Sequence, residues 1–336
     1  MTTNTFAWIG YFPDRDSFYT TGTQLGLIDP KISLLDIDDL ILKVDPILGE
    51  TKRFSFRNKS ANGFLMAIPI LLKHLATLQK TEIEDKITQA FLKAINNGAN
   101  IILMAGALGD YVHEMRKRFS EYNIIILTGR KNLAATVLQN IDQAGSHFKR
   151  PLNQLECTIF DLSTPISPII TAALGDSLKA VKLTNLNNID LKNTVEPLKL
   201  PLSFEQLCIT DDPEKSVSQS DLIISNILFI PPEIIDHIKP GAILLDSVAP
   251  FMSVMSVKKN RPDVKPVKSA LSEIGPLEAG MFPQATCDNL IYCCLAETVM
   301  VSLQNPLDKT KVELVYDNVM YFAELKKQFG FNAQVF

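Results

Sequence analysis

The sequence predicts an α/β protein in which helices cover parallel sheets. Short runs rich in β-branched and other apolar residues alternate with longer amphipathic stretches along most of the 336-residue chain. The short runs are apolar at nearly every position, as expected for parallel strands that are buried on both faces. The length predicts about two domains, and the apolar content of 46% is enough to build their cores.

The best-marked predicted elements in the first half of the chain are a helix, two strands and a second helix. Thr81 and Glu84 have the spacing of a capping box at the start of the first helix. The predicted elements are a helix over 83–95, a strand over 100–104, a strand over 123–127 and a helix over 131–142. Because α/β folds bind ligands where their strands end, we expect a site near Gly106, Thr128 and Gly129.

The second half repeats the alternation after a predicted crossing between domains at 143–152. Its predicted strands are 156–160, 180–184, 206–209, 222–225 and 242–246, with helices after Pro165 and over 231–238, 288–304 and 311–329. This series is typical of a Rossmann-like sheet. The sequence therefore predicts an N-terminal α/β substrate domain, a central Rossmann-like domain and a C-terminal segment of long helices, over 1–150, 151–265 and 266–336.

Composition and charge exclude several classes of protein. The net charge of −4, without a basic tail, argues against a nucleic-acid partner. The N-terminus lacks the pattern of a signal peptide, and the longest apolar run, 64–72, is far shorter than the roughly 20 residues that span a bilayer. The cysteines form no CxxC pair and the histidines no HExxH motif, so we expect no metal site. We expect a cytoplasmic protein with reduced thiols.

Short strings distributed over nearly the whole chain point to a family. They are AWIGYF near the start, GFLMAIPILL at 63–72, NNGANIILMAG at 96–106, TGRKNLAA at 128–135, LLDSVAP at 244–250, CCLAET at 293–298 and FGF at 329–331. In this order and spacing they resemble the long-chain acyl-acyl carrier protein reductases of cyanobacteria. The resemblance implies an enzyme that takes a fatty acyl chain from acyl carrier protein or coenzyme A onto a cysteine and reduces it to an aldehyde with NADPH.

The resemblance places the nucleophile on Cys294, just before Leu295, Ala296 and Glu297. A thiolate can attack a thioester and divide a difficult reduction into two easier steps. Glu297 would oppose thiolate formation unless it transfers protons, so we take it as a candidate catalytic residue. The alternative is that Cys294 is a small buried apolar residue. We expect the neighbouring Cys293 to serve packing.

The resemblance places the acyl thioester at Gly106, Thr128 and Gly129. Arg130 and Lys131 follow, where the family has neutral polar residues. These two cations could hold a carboxylate or a phosphate, and the alternative is a solvated pair on a loop.

The cofactor loop departs most from the family pattern. After the strand over 156–160 the family has a glycine-rich turn, in which backbone N–H groups approach the pyrophosphate. Here Asp161, Thr164 and Ser167 occupy the three glycine positions, in a chain with only 15 glycines, and Pro165 and Pro168 remove two N–H donors. The end of the next strand offers neither the arginine suited to NADPH nor the acid suited to NAD. The sequence therefore favours a turn that binds no cofactor, with NADPH as the alternative.

Three functions remain open. The leading one is processing of acyl-carrier-protein or coenzyme A thioesters through an acyl-enzyme on Cys294, by transfer or hydrolysis without reduction. The second is an NADPH-dependent reductase that gives a fatty aldehyde. The third is a catalytically silent protein that binds acyl groups or the carrier protein.

Overall fold

The computed structural model confirms the predicted α/β class. It describes residues 3–29, 31, 33, 36–160, 164–174, 177–184, 207–227, 229–248, 252–274, 278–279, 286–287, 290–304, 309–311 and 313–334. The chain divides into two compact units, the first formed by 1–129, 277–282 and 298–312, the second by 130–276, 283–297 and 313–336. These units differ from the predicted domains, which placed the first boundary at 150 rather than at Gly129.

The first unit contains a mixed seven-stranded sheet. Its strands are β1 (Asn4–Phe12), β2 (Ile47–Leu48), β3 (Lys52–Phe56), β4 (Lys59–Leu71), β5 (Ile101–Met104), β6 (Ile125–Leu127) and β14 (Glu278–Ala279). They lie in the order β14-β3-β4-β1-β5-β6, with β2 paired to β4. Strands β4, β1, β5 and β6 run parallel, and the other pairings are antiparallel. The carboxyl ends of these four parallel strands therefore meet at one edge.

The helices of the first unit are α1 (Arg15–Gln24), α2 (Ile37–Ile41), α3 (His74–Thr77), α4 (Lys80–Asn96) and α5 (Val112–Arg118). The predicted capping box of Thr81 and Glu84 is wrong. Gln79, which has an extended backbone, forms the box with Glu82, where the same three-residue spacing occurs. The helix ends before Gly98, whose φ of +85° suits glycine.

The second unit contains a six-stranded parallel sheet with the order of a Rossmann fold. Its strands are β7 (Glu156–Phe160), β8 (Ala180–Thr184), β9 (Leu207–Ile209), β10 (Leu222–Ser225), β11 (Ile243–Asp246) and β12 (Lys265–Val267). They lie in the order β9-β8-β7-β10-β11-β12, and every pair is parallel. Numbered along the chain, this is the order 3-2-1-4-5-6 of doubly wound sheets. The order reverses between β7 and β10.

The remaining helices are α6 (Arg130–Phe148), α7 (Ser167–Leu174), α8 (Pro213–Gln219), α9 (Pro232–His237), α10 (Met252–Asn260), α11 (Cys293–Ser302) and α12 (Tyr316–Phe329). Helix α6 continues through most of the predicted crossing at 143–152, because Ala144 remains on the buried face. Side chains of α6, α7 and α12 share one core with the sheet, including Ile141, Ile170 and Val319. Among the described residues, no helix is both long and apolar enough to span a membrane.

A small antiparallel sheet, absent from the sequence prediction, contains the strand that leads into α11. Its strands are β15 (Thr286–Cys287), β16 (Leu290–Tyr292), β13 (Leu271–Glu273) and β17 (Asn332–Ala333), in that spatial order. Because β16 pairs with β13, with Leu271 opposite Tyr292, the predicted helix over 288–304 begins only at Cys293. Both adjacent cysteines therefore lie in the first turn of α11.

Candidate active site

The predicted nucleophile, Cys294, lies in the first turn of α11. The predicted helix over 288–304 would have placed it nearly two turns inside. Its side chain is partly exposed, whereas that of Cys293 is buried. Burial raises the pKa of Cys294 to about 12, and the neighbouring Cys293 acts in the same direction. The start of the helix therefore does not by itself produce a thiolate at Cys294.

Glu297, the predicted proton-transfer residue, forms a fully buried ion pair. Its Oε1 lies 2.9 Å from Nζ of Lys131, and its Oε2 accepts the backbone N–H of Asn132 at 2.9 Å. The Lys131 side chain is only 1% exposed, with Nζ 5.3 Å from the ring centre of Phe322. The expectation of a solvated loop is therefore wrong for Lys131, because it lies in the first turn of α6. Arg130, the first residue of α6, is partly exposed.

Cys293 is buried, as predicted, but its surroundings are polar rather than apolar. Its Sγ lies 3.4 Å from Thr136 Oγ1, 3.4 Å from Ser272 Oγ and 3.6 Å from the Ser269 carbonyl oxygen. Burial raises the pKa of Cys293, and the nearby Lys326 opposes that shift. Cys293 is therefore the cysteine of α11 that has both hydroxyl groups and a cation beside it.

Lys326 is a fully buried lysine on α12. Its Nζ donates a hydrogen bond to Thr136 Oγ1 at 2.5 Å. Burial lowers the pKa of Lys326 to about 8, and Cys293 opposes that shift. A buried titratable group with a strongly shifted pKa and a specific neighbour is a candidate functional residue.

Sequence reasoning missed Thr136, Ser272 and Lys326. A signal existed for the lysine, which stands among buried residues on one face of α12, with Phe322 four residues before it and Phe329 three residues after it. Lysine is almost never fully buried without a partner, so its place on an apolar face was informative. Thr136 and Ser272 carry no such signal.

A second polar network lies at the carboxyl ends of β7, β10 and β11. Ser167, at the predicted third glycine position, is fully buried as the first residue of α7. Its Oγ accepts a hydrogen bond from Asn226 Nδ2 at 2.6 Å and lies 2.7 Å from Thr164 Oγ1. Ser247 Oγ donates to Asn226 Oδ1 at 2.5 Å. The side chains that replace two glycines are thus held by protein groups, while Asp161 lies outside the described residues.

The edge of the Rossmann-like sheet offers further polar atoms to a ligand. Thr184, the last residue of β8, has a buried hydroxyl without a hydrogen-bond partner in the described part of the chain. The end of the second strand is where Rossmann folds recognise a ribose hydroxyl. Pro168 lies in the first turn of α7, where an N–H has no helical partner, so it disrupts no bond of the helix. The Thr184 hydroxyl therefore fits the ribose of a dinucleotide, whereas Pro168 offers no N–H to its pyrophosphate.

The predicted substrate residues of the first unit share one sheet edge. Gly106 has a φ of +57°, and a Cβ there would lie 3.0 Å from Tyr11 Oη, so the position favours glycine. Gly129, with a φ of +75°, follows Thr128 at the end of the neighbouring strand β6. A cavity of about 630 Å³ borders the turn after Gly106 and is lined by Leu72, Lys73, Leu75, Lys80, Ala107 and Tyr111, among others. Its volume lies in the range of small-ligand sites.

No group of three or more histidine, cysteine, aspartate or glutamate side chains is arranged to hold a metal ion within the described part of the chain.

Neither a family model nor a curated protein matches the sequence. The chain is similar in structure to the NAD-dependent malic enzyme of Thermotoga maritima, at 15% identity over 72% of this chain and 59% of that chain, with a TM-score of 0.38. A malic enzyme of Pyrococcus horikoshii matches at 19% identity over 76% and 57% of the two chains, with a TM-score of 0.38. Shikimate 5-dehydrogenase of Listeria monocytogenes matches at 13% identity over 80% and 87%, with a TM-score of 0.36. The chain spans less than three fifths of the length of either malic enzyme.

Proposed function

We propose that this protein is an oxidoreductase that binds a nicotinamide dinucleotide and reduces a long-chain acyl thioester held on Cys294. The observation that carries the proposal is the strand order β9-β8-β7-β10-β11-β12 of a wholly parallel sheet. Doubly wound sheets bind dinucleotides in the crevice where this order reverses, between β7 and β10. The proposal reverses the preference drawn from the sequence, which favoured acyl transfer without reduction.

The glycine replacements are weaker evidence against a cofactor than the sequence suggests. Glycine at the third position allows a helix to pack closely on the sheet. Ser167 achieves a buried position there because Asn226 and Thr164 hydrogen-bond its hydroxyl. Thr184 could hold a ribose, and Asn226 and Ser247 stand at the ends of the strands beside the crevice. When bound, the dinucleotide would supply the hydride that reduces the thioester.

Cys294 is the candidate acceptor because it is the more exposed of the two cysteines in α11. Attack of its sulfur on an acyl thioester would form a new thioester and release the thiol of the carrier, which is acyl carrier protein or coenzyme A. Burial raises the pKa of Cys294, so its attack requires a group that accepts the thiol proton.

The test is a stoichiometric assay with purified protein, long-chain acyl-coenzyme A and NADPH. We expect one NADPH to be oxidised for each fatty aldehyde formed, and we expect the Cys294→Ala variant to lose both signals. Cys208→Ala is the matched control, because Cys208 is an exposed cysteine on β9. Aldehyde formation by Cys294→Ala at the wild-type rate would contradict the assignment of the cysteine.

Acyl transfer or hydrolysis without reduction is the second candidate. It is favoured by the sequence, in which the acidic Asp161 stands at the first glycine position of the family's phosphate-binding turn and two prolines remove N–H donors. In the same assay this function releases free fatty acid, or passes the acyl group to an added nucleophile, while NADPH remains unchanged.

A further inference from the structure

We propose that Lys326 is the base for Cys293, acting through the hydroxyl group of Thr136, and that Cys293 is therefore a second reactive thiol at the start of α11. The three residues come from α12, α11 and α6, and all three are buried. The inference rests on the proposed function in one respect only, namely that the molecule attacked by Cys293 is an acyl thioester.

One hydroxyl group connects the thiol to the amine. The Cys293 thiol donates to Thr136 Oγ1 at 3.4 Å, and Lys326 Nζ lies 2.5 Å from the same oxygen. Ser272 Oγ lies 3.4 Å from Cys293 Sγ and 3.4 Å from Thr136 Oγ1. A nucleophile, a connecting hydroxyl, a base and a second hydroxyl that can donate to a thiolate are therefore in contact.

Cys293 and Lys326 stand at the two ends of the hydrogen-bonded path through Thr136, and burial disfavours the charged form of each. The pKa of Lys326 is lowered to about 8, whereas that of Cys293 is raised. A neutral amine is thus accessible near physiological pH, and a base with a pKa in this range is efficient. Lys131 differs from Lys326 because it has a carboxylate partner in Glu297, whereas Lys326 Nζ donates to the Thr136 hydroxyl and interacts electrostatically with Cys293.

Transfer of a proton from Cys293 through Thr136 to Lys326 leaves the net charge of the three residues unchanged. The Thr136 O–H, which donates to the Asn132 carbonyl at 2.8 Å, turns towards the neutral Nζ of Lys326. The S–H proton passes to Thr136 Oγ1 as the Thr136 proton passes to Nζ. One S–H bond breaks, one N–H bond forms, and no electron is gained or lost. The resulting thiolate can attack an acyl carbon, and the proton on Lys326 is available to the departing carrier thiolate.

Other charged groups face the pair from the elements around it. Glu297, on α11 itself, raises the pKa of Cys293. Lys131, on α6, pairs with Glu297 at 2.9 Å and offsets its charge. Cys294 is the adjacent titratable residue in the chain.

The test measures the alkylation rate of Cys293 with iodoacetamide in the folded full-length Cys294→Ser protein, resolved by site with mass spectrometry. The exposed Cys208 is the internal reference. Between about pH 6 and 10 we expect the Cys293 rate to rise with a midpoint near 8. Lys326→Met should lower the rate at neutral pH roughly tenfold or more. Lys327→Met, which changes the adjacent exposed lysine, should leave it unchanged.

Thr136 provides an independent pair of variants. Thr136→Val should reproduce the loss, and Thr136→Ser should restore the rate, because serine keeps the hydroxyl. Circular dichroism verifies folding, and if Lys326→Met does not fold, the two Thr136 variants decide the question.

Two results would overturn the inference. One is a Cys293 that stays unmodified while Cys208 reacts completely, and the other is a Cys293 rate that is equal with and without the Lys326 amine or the Thr136 hydroxyl. Neither nucleotide nor thioester is present in this experiment. Its failure therefore leaves the proposed reductase function standing, and the failure of the reductase assay leaves this result intact.

Discussion

Among the buried polar networks in the described part of the second unit, two differ in charge: one is uncharged and one is charged. The sheet-edge network consists of Thr164, Ser167, Asn226 and Ser247, and the α11 network consists of Lys131, Asn132, Thr136, Ser272, Cys293, Glu297 and Lys326. Hydroxyl and amide groups pair with one another in the first network. Side chains at two positions where the family has glycine are therefore buried there at little electrostatic cost. The second holds two buried lysines and one buried glutamate.

The two networks differ in what their burial costs. A satisfied uncharged network can rigidify a fold, whereas burial of charged groups is costly unless they are well paired. In the α11 network one lysine has a carboxylate partner, whereas the other donates to the Thr136 hydroxyl and interacts electrostatically with Cys293. We therefore interpret the sheet-edge network as structural support for a binding edge and the α11 network as chemical machinery.

The largest effect should come from breaking the buried ion pair. Glu297→Leu leaves Lys131 buried without its carboxylate, and removal of one partner from such a pair costs about 3–5 kcal/mol of unfolding free energy. Urea unfolding measures this loss, and the double variant Lys131→Met/Glu297→Leu should recover much of it. A single-variant loss below about 1 kcal/mol would show that the pair behaves like a surface salt bridge.

Removal of the second lysine should stabilise the protein. Burial lowers the pKa of Lys326 from 10.5 to about 8, so between these values the unfolded chain binds a proton that the folded chain lacks. Relative to Lys326→Met, the stability of the wild type should therefore rise with pH across this window. Below about pH 8 the full destabilisation caused by burying Lys326 should be present. At pH 7 we expect the variant to be more stable by something on the order of 3 kcal/mol. Parallel pH profiles of the two proteins would contradict this.

The uncharged network should respond more moderately. Asn226→Ala removes one hydrogen bond from Ser167 and one from Ser247, which keep Thr164 and the Ser225 carbonyl oxygen as partners, and the loss of two hydrogen bonds costs about 1–3 kcal/mol. The loss should be the same from pH 6 to pH 9, because none of these groups titrates, which separates this network from the α11 network. A pH-dependent loss would show that the two networks are coupled.

The smallest effect should come from restoring a glycine. Ser167→Gly removes a buried hydroxyl and adds backbone freedom, which we expect to cost about 1 kcal/mol. Because the native side chain is held by Asn226 and Thr164, the dissociation constant of NADPH, measured by calorimetry, should change by less than about threefold. A much larger gain in affinity would show that Ser167 obstructs the crevice.

The strands of the Rossmann-like sheet were predictable, and the start of α11 was not. The predicted strands 156–160, 180–184 and 222–225 agree with the structure because buried parallel strands are continuous apolar runs between turns. The run 290–292 is also apolar, but a strand of three residues cannot be distinguished from the first turn of a helix by its periodicity. Its pairing with β13 makes this run a strand, and β13 lies too far away in the sequence for a local pattern to reveal the pairing.

The site was predictable in part. The family resemblance led to Cys294, Glu297 and Lys131, yet no local pattern could reveal that Glu297 and Lys131 pair. The Lys326–Thr136 hydrogen bond joins residues 190 positions apart, and only the folded chain brings them together. The apolar stripe of α12 marked Lys326 as unusual but could not identify its partner.

The most direct test of the central claim is the intact mass of the protein after incubation with a long-chain acyl thioester, before and after addition of NADPH. We expect an acyl adduct that peptide mass spectrometry places on Cys294, that is lost from this position in Cys294→Ala even where Cys293 is acylated, and that NADPH removes with release of fatty aldehyde. Absence of the adduct, or its release as free fatty acid at the same rate with and without NADPH, would contradict this claim.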